Sequence, residues 1–144
     1  MNLRSYLNNE LTGKSDENLE LISIICSIAD STVDIAMDTR ITGLKQIRGS
    51  TNEINVQGEE VQMLDQIANQ SLIDSLSKNS SCAGYASEEL VEPLIFNQSA
   101  RFMVVADPLD GSSNISVNMP IGTIFGIIRN TDYGVSSFNK SGRY

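Results

Sequence analysis

Apolar side chains in the first half of the chain recur every three to four residues, the spacing of one face of an α-helix. This pattern predicts a helix over about residues 17–40, with Ser15 or Asp16 as its N-terminal cap, and a second helix over about residues 59–77. The two apolar faces consist of Leu21, Ile24, Ile25, Ile28 and Ile35, and of Val61, Leu64, Ala68, Leu72 and Leu76. Residues 1–13 are polar and predict a short helix or a loosely held arm, and residues 39–55 a loop.

The pattern changes to short apolar runs in the second half of the chain. Residues 80–87, 102–105 and 121–128 predict strands, and the middle one is apolar throughout, as expected for a strand buried on both faces. Residues 92–101 predict a connection and residues 130–144 a turn-rich segment. Because helices precede strands and no repeat or linker interrupts the 144 residues, we expect one domain over residues 1–144 with a layered α+β arrangement.

Composition excludes several classes of function. The formal net charge of −8 argues against nucleic acid as a partner, because phosphate backbones require basic surfaces. The absence of histidine excludes Ser-His-Asp triads and histidine-based zinc sites. No signal peptide and no membrane-spanning run are recognisable, so we expect a cytoplasmic protein with no membrane partner. Cys26 and Cys82 have no paired spacing and are expected to be buried free thiols.

Two carboxylates and a polar turn follow the central predicted strand. The run D-P-L-D-G-S-S-N occupies residues 107–114. Asp107 and Asp110 can hold a hard cation, and the segment that begins at Gly111 is rich in N–H and hydroxyl groups that can hold a phosphate. The alternative is an ordinary turn, because Asp-Pro and Asp-Gly are common turn dipeptides.

A second acidic pair, Glu88 and Glu89, follows the preceding predicted strand. If the two strands are neighbours in one sheet, four carboxylates converge at one edge, where their charges repel one another. Divalent cations would neutralise them, and an all-oxygen donor set favours Mg²⁺ or Mn²⁺. The alternative is that Glu88 and Glu89 are a solvated pair on a loop.

Four segments in this order resemble class I fructose-1,6-bisphosphatases. Along the chain they are N-V-Q-G-E-E-V-Q-M-L-D at 55–65, A-S-E-E at 86–89, the octet at 107–114 and P-I-G-T-I-F-G-I at 120–127. The related inositol monophosphatases usually carry Thr at the position of Ser112 or Ser113. The resemblance implies the N-terminal half of the layered helix/sheet sandwich shared by these sugar phosphatases.

The resemblance also implies metal ligands and acid–base groups. The metal, Mg²⁺ with Mn²⁺ as a substitute, would be held by Glu88, Glu89, Asp107, Asp110 and the carbonyl oxygen of Leu109. Asp65 would act with Glu89 on the attacking water as the general base. Asp65 lies at the edge of its helix's apolar stripe, so the alternative is a structural acid satisfied by a backbone cap or a lysine. Glu59 matches an acidic family position and is either an accessory acid or a first-turn helix acid.

The reacting phosphate would, by the same resemblance, be held by Gly111, Ser112 and Ser113. Asn114 either reaches that phosphate or caps the turn. A five-residue segment, Leu11, Thr12, Gly13, Lys14 and Ser15, matches the nucleotide inhibitor site of some family members poorly, so the sequence predicts no such regulation.

The predicted activity is Mg²⁺-dependent hydrolysis of the 1-phosphate of fructose 1,6-bisphosphate to fructose 6-phosphate. If the chain assembles as members of the family do, it forms a homo-oligomer. Family members resembling this chain are more than twice as long. We therefore expect an N-terminal domain without the C-terminal domain. The alternative function is a truncated, catalytically inactive fragment that retains metal binding or only packs against a partner chain. A third candidate is an inositol-monophosphatase-like enzyme with another substrate.

Overall fold

The computed structural model describes residues 1–11, 13, 15–48, 54–117 and 119–130. Three helices come first: α1 (Leu3–Glu10), α2 (Asp16–Arg48) and α3 (Ile54–Ser77). They are followed by β1 (Cys82–Ser87), β2 (Leu94–Ile95), β3 (Phe102–Asp110), a 3₁₀ helix (Ser112–Val117) and β4 (Gly122–Arg129). The predicted order of helices followed by strands, and with it the layered α+β class, is confirmed.

The strands form one mixed sheet in the order β2-β1-β3-β4. The central pair, β1 and β3, is parallel, whereas β2 and β4 pair antiparallel with their neighbours. Helices α2 and α3 pack against one face of this sheet. Their apolar residues share a buried cluster with Tyr85 of β1 and with Phe102 and Val104 of β3. Among the helices of the described part, none is long and apolar enough to cross a membrane.

The helix boundaries differ from the prediction at the connection between α2 and α3. Helix α2 continues to Arg48 and α3 begins at Ile54, so the loop predicted over residues 39–55 was wrong for most of its length. The glycines at positions 43 and 49 were the signals for a break; position 43 lies inside α2, and position 49 lies outside the described residues. One glycine inside a helix costs only about 1 kcal/mol relative to alanine, which a long helix tolerates.

The helix starts follow from their capping residues. The Asn2 side chain accepts a hydrogen bond from the backbone N–H of Ser5 at 2.9 Å and caps α1. Of the two alternatives predicted for residues 1–13, the short helix is therefore the one observed. The Ser15 hydroxyl accepts one from the backbone N–H of Asn18 at 3.2 Å, so Ser15 is the cap of α2. Asp16 and Glu17 occupy the first turn, where negative charge favours the helix dipole.

Strand β3 is longer than predicted. The sequence indicated an end at Val105, but pairing with β4 continues through Asp107 and resumes at Asp110, with a register shift between them. Pro108 lies within that irregularity, where its missing N–H removes no regular ladder bond. The two carboxylates therefore lie on the end of a strand, instead of flanking the turn that the sequence predicted. The short strand β2 was also missed within the predicted connection over residues 92–101.

Ion pairs join the start of α2 to the ends of two strands. Arg101 Nε lies 2.8 Å from Glu20 Oε2, and Arg129 contacts Glu17. All four residues are partly exposed, so each pair contributes at most about 1 kcal/mol. Cys26 and Cys82 are buried free thiols, as predicted, and burial raises the pKa of the Cys82 thiol to about 11.

Candidate active site

The parallel pairing of β1 and β3 brings the two acidic segments together. Ser87, the last residue of β1, pairs with Ala106 of β3, so Glu88 and Asp107 follow side by side. The arrangement of neighbouring strands on which the predicted convergence depended is therefore present. Glu88 and Glu89 lie on a turn that Ser87 organises, because its hydroxyl accepts a hydrogen bond from the backbone N–H of Glu89 at 3.1 Å.

Buried apolar side chains hold the segment around Asp107 and Asp110 in place. The Pro108 and Leu109 side chains are buried, and Leu109 belongs to the main core cluster. The Asp107 carboxylate accepts a hydrogen bond from the backbone N–H of Leu109 at 3.2 Å, and Thr123 of β4 donates one from its hydroxyl to the Pro108 carbonyl at 2.9 Å. The positions of the carboxylates are thus set by the core and by β4.

Neighbouring carboxylates contribute to the raised pKa values of Glu88 and Glu89. The charge of Asp107 is the main cause of the raised pKa of Glu88, followed by partial burial and by the charges of Asp110 and Asp65. For Glu89, partial burial comes first and the charges of Asp65, Glu88 and Asp107 follow. Mutual repulsion of this kind shows that Asp65, Glu88, Glu89, Asp107 and Asp110 form one electrostatic group, which we call the carboxylate cluster.

Asp65 enters the cluster from helix α3. Burial is the main cause of its raised pKa, a hydrogen bond with Ser112 acts in the opposite direction, and the charge of Asp107 raises the pKa further. Asp65 is half-buried, and both Asp107 of the cluster and Ser112, at the start of the 3₁₀ helix, act on its pKa. The surroundings of the Glu59 side chain lie outside the described residues.

The donor chemistry of the cluster fits a hard divalent cation, since all its side-chain donors are carboxylate oxygens. Over the residues that the structure describes, however, no three Asp, Glu, His or Cys side chains are arranged to hold one ion. Repulsion between uncompensated carboxylates favours such separation. The structure therefore brings the predicted ligands into one electrostatic group without closing a coordination shell.

The turn after Asp110 has a left-handed backbone and leads into the 3₁₀ helix. Gly111 has φ +79°, a conformation that costs other residues about 1–2 kcal/mol. Its carbonyl accepts a hydrogen bond from the backbone N–H of Asn114 at 2.8 Å. The Asn114 amide donates a longer one to the Pro120 carbonyl at 3.4 Å.

Replacing Gly111 with Ala is expected to lower the free energy of unfolding by about 1–2 kcal/mol. The left-handed φ is strained for alanine, and the added Cβ would lie 3.0 Å from Asn114 Nδ2. Gly122→Ala is the matched control, because no atom lies within 4 Å of its added Cβ. Urea unfolding of both variants checks this. Equal losses in both would contradict the role given to the Gly111 backbone.

Tyr85 connects β1 to the helix that carries Asp65, a contact that the sequence analysis did not predict. Its side chain is fully buried, and its hydroxyl donates a hydrogen bond to Asn69 Oδ1 of α3 at 3.0 Å. Burial raises the pKa of Tyr85 to about 12; Ser87 acts in the opposite direction, and the charges of Asp107 and Glu89 add to the increase. An aromatic residue within an apolar strand carries no sequence signal for this contact.

Tyr85 is expected to make the fold sensitive to alkaline pH. Because its pKa is about 10 when unfolded and about 12 when folded, the native state keeps a proton that the unfolded chain releases. This stabilisation is complete below about pH 10 and decreases by about 2–3 kcal/mol as the pH rises through about 12. Tyr85→Phe should remove that part of the decrease, whereas Tyr6→Phe, at an exposed position, should not. Urea unfolding from pH 9 to pH 12 measures it; identical pH profiles for wild type and Tyr85→Phe would contradict it.

Comparison with known proteins agrees with this arrangement. Residues 4–143 match the family model described as the N-terminal domain of fructose-1-6-bisphosphatase. Curated relatives include "Fructose-1,6-bisphosphatase class 1" of Sorangium cellulosum, 41% identical over 138 residues, which cover 92% of this chain and 38% of the relative. The protein of the same name from a Sulfurihydrogenibium species is 40% identical over 144 residues, which cover 99% of this chain and 45% of the relative.

A solved structure gives the same result at the level of the fold. The holo form of Leishmania major fructose-1,6-bisphosphatase matches with a TM-score of 0.74 and 26% sequence identity, over 92% of this chain and 39% of that one. The chain thus spans only about two fifths of the length of these relatives. Nearly the whole chain matches one family model, and so the protein belongs to the fructose-1,6-bisphosphatase family, in the part of the sequence that forms the family's N-terminal domain.

Proposed function

We propose that this chain carries the phosphate-hydrolysing residues of a Mg²⁺-dependent fructose-1,6-bisphosphatase, which releases the 1-phosphate to give fructose 6-phosphate. The observation that carries the proposal is the carboxylate cluster beside the Gly111 turn, which the pairing of β1 with β3 brings together and in which neighbouring carboxylates contribute to the raised pKa values of Asp65, Glu88 and Glu89. Such an excess of negative charge requires cations before an anionic sugar phosphate can approach.

The proposed roles rest on the sequence motifs, and for the carboxylates also on their position in the cluster. Glu88, Glu89, Asp107 and Asp110, with the Leu109 carbonyl, would hold Mg²⁺ or Mn²⁺, which when bound supplies positive charge to polarise a phosphoryl oxygen. The Gly111 amide and the Ser112 and Ser113 hydroxyls would hold the phosphate, with Asn114 and Glu59 in accessory roles.

Asp65 is the proposed proton acceptor. Its raised pKa lies closer to the operating pH than that of an ordinary carboxyl, which favours general-base catalysis. A water molecule would attack phosphorus, and its proton would pass to Asp65 with the help of Glu89. The bond from phosphorus to the sugar oxygen would break with its electron pair on that oxygen, which would take up a proton from water to leave as the sugar hydroxyl. The influence of Ser112 on the pKa of Asp65 supports this role, because Ser112 is one of the proposed phosphate contacts.

The second candidate function is an inactive fragment that retains metal binding or packs against a partner. One observation favours it: over the described residues, no three-ligand group is arranged for one ion. Three further expectations stay predictions: a single domain over residues 1–144, a homo-oligomeric state and a cytoplasmic location.

Phosphate release tests the proposal. The folded chain, verified by circular dichroism, is incubated with fructose 1,6-bisphosphate or inositol 1-phosphate, each with Mg²⁺ or with EDTA. Release from fructose 1,6-bisphosphate that requires Mg²⁺ supports the proposal. Release from inositol 1-phosphate alone would favour an inositol-monophosphatase-like enzyme. No release from either substrate by a chain that is folded would favour the inactive fragment.

Glu88→Gln should raise the melting temperature of the metal-free protein, although most substitutions lower it. Glu88 is exposed and faces the repulsive charge of Asp107, so removing its charge relieves repulsion without loss of buried contacts. The same variant should lose most of the stabilisation that Mg²⁺ gives to the wild type. Glu92→Gln, an exposed acid outside the cluster, is the charge-matched control. Thermal melts in EDTA and in Mg²⁺ measure both effects; a lower melting temperature in EDTA for Glu88→Gln alone would contradict the repulsion.

A further inference from the structure

A buried hydrogen bond joins helix α3 to strand β1 close to the carboxylate cluster. The Tyr85 hydroxyl of β1 donates it to Asn69 Oδ1 of α3 at 3.0 Å. Tyr85 is fully buried and Asn69 is 7% exposed, so water hardly competes for either partner. A buried acceptor that loses its donor is destabilising, because no water replaces the lost bond. The packing of α3 on β1 is therefore favoured in the arrangement that pairs these two atoms.

Both partners lie next to a carboxylate on their own element. Asn69 follows Asp65 by four residues, so the two side chains lie on the same side of α3, about 6 Å apart along its axis. Tyr85 precedes Ser87 by two residues and shares its face of β1. The Ser87 hydroxyl accepts the hydrogen bond that organises the turn at Glu89. The bond from Tyr85 to Asn69 therefore joins the turn of α3 that carries Asp65 to the strand end that precedes Glu89.

The electrostatic influences on these residues agree with this arrangement. The Ser87 side chain and the charges of Asp107 and Glu89 all act on the pKa of Tyr85, so its hydroxyl end lies near the carboxylate cluster. The charge of Asp65 in turn raises the pKa of Glu89. Tyr85 and Asp65 are thus close to the same acidic turn, although they belong to different elements.

Apolar packing alone does not determine how far α3 can slide along β1. The contacts of Leu72 and Leu76 in the core are non-directional, whereas a hydrogen bond requires a short distance and a nearly linear geometry. We propose that Tyr85 and Asn69 are positioning residues, whose hydrogen bond fixes α3 on β1 so that the Asp65 carboxylate stays in the carboxylate cluster. The consequence for catalysis rests on the proposed function, whereas the effect on the position of Asp65 does not.

Hydrogen exchange of single backbone amides, followed by NMR on the metal-free chain in EDTA, tests the proposal. Tyr85→Phe removes the donor and keeps the ring. We expect the amides of residues 65–69 to exchange at least tenfold faster, relative to those of Leu72 and Leu76, than they do in the wild type. A contribution to global stability alone would increase exchange by the same factor in both groups, because global unfolding opens the whole helix.

Ser75→Ala is the matched control on the same helix. The Ser75 hydroxyl donates a hydrogen bond of the same length, 3.0 Å, to the Ser27 carbonyl, and so joins α3 to α2 instead of to β1. This variant should leave the exchange of residues 65–69 relative to Leu72 and Leu76 as in the wild type. The same relative increase in Ser75→Ala and Tyr85→Phe would overturn the proposal.

A double variant, Tyr85→Phe with Asn69→Leu, separates position from stability. Leucine is close to asparagine in shape and needs no donor, so the double variant should recover the urea midpoint that Tyr85→Phe loses. The faster relative exchange of residues 65–69 should remain, because no directional bond is restored. Recovery of both the midpoint and the exchange would overturn the proposal, as would an unchanged exchange ratio in Tyr85→Phe.

Phosphate release gives an independent readout in a chain that has the proposed function. Tyr85→Phe should lower kcat at least tenfold and change the KM for fructose 1,6-bisphosphate by less than twofold, because Asp65 acts on the attacking water and not on the sugar. An unchanged kcat would overturn the positioning role. A wild type that releases no phosphate contradicts the proposed function alone, and the exchange experiment then decides whether Tyr85 and Asn69 position Asp65.

Discussion

Asp107→Asn is expected to reduce the proposed Mg²⁺-dependent phosphate release by at least about 100-fold, because even residues outside the ligand shell of a metal change affinity or activity by about 10–100-fold. Asp107 has the widest influence in the carboxylate cluster, since its charge raises the pKa values of Asp65, Glu88 and Glu89. Its amide isostere keeps the volume and removes the charge that a divalent cation would require.

Two measurements check this expectation. Phosphate release from fructose 1,6-bisphosphate reports on the reaction, and the Mg²⁺-induced rise in melting temperature reports on binding of the metal alone. Asp38→Asn is the matched control, because Asp38 is exposed on α2 and undergoes the same change of charge. If Asp107→Asn and Asp38→Asn kept the same Mg²⁺ response as the wild type, Asp107 would not be a metal ligand.

Leu72→Ala is expected to lower the free energy of unfolding by about 2–5 kcal/mol, the range for removing a large buried aliphatic side chain. Leu72 is fully buried on α3, within the cluster that joins α2, α3 and the sheet. A total stability of about 5–15 kcal/mol is usual for a domain, so this loss would be a large fraction of it.

Urea denaturation measures the effect as a lower midpoint with an unchanged slope. Met63→Ala on the same helix is the control, since Met63 is 58% exposed, and its free energy of unfolding should change by no more than about 0.5 kcal/mol. Equal losses for the two variants would mean that α3 contributes through helix propensity and not through packing on the sheet.

Much of the local structure was predictable from the sequence because its causes are local. The helical spacing of Leu64, Ala68, Leu72 and Leu76 identified the buried face of α3, and all four are buried. Ser15 was one of two predicted caps and is the one that accepts the hydrogen bond at the start of α2. Helix propensity and capping depend on neighbours along the chain, so these features could be predicted without the fold.

The ends of the elements were predicted less well, because they depend on partners distant in sequence. Strand β3 continues to Asp110 since β4 supplies hydrogen bonds there, and no residue between positions 105 and 110 signals this pairing. The contact between Tyr85 and Asn69 likewise requires that α3 lies across β1. Propensity describes single residues, whereas these features are properties of pairs.

The sequence by itself determined that an acidic pair comes after each of two apolar segments and that a glycine turn comes after the second pair, because these are facts of residue type and order. Only the tertiary structure decided that β1 and β3 are parallel neighbours, which makes the acidic pairs one electrostatic group with Asp65. It also decided that apolar residues of α2 and α3 share one buried cluster with the central strands of the sheet. Strand order and layer packing arise from hydrogen bonding and burial between distant segments, and a linear pattern does not encode which segments meet.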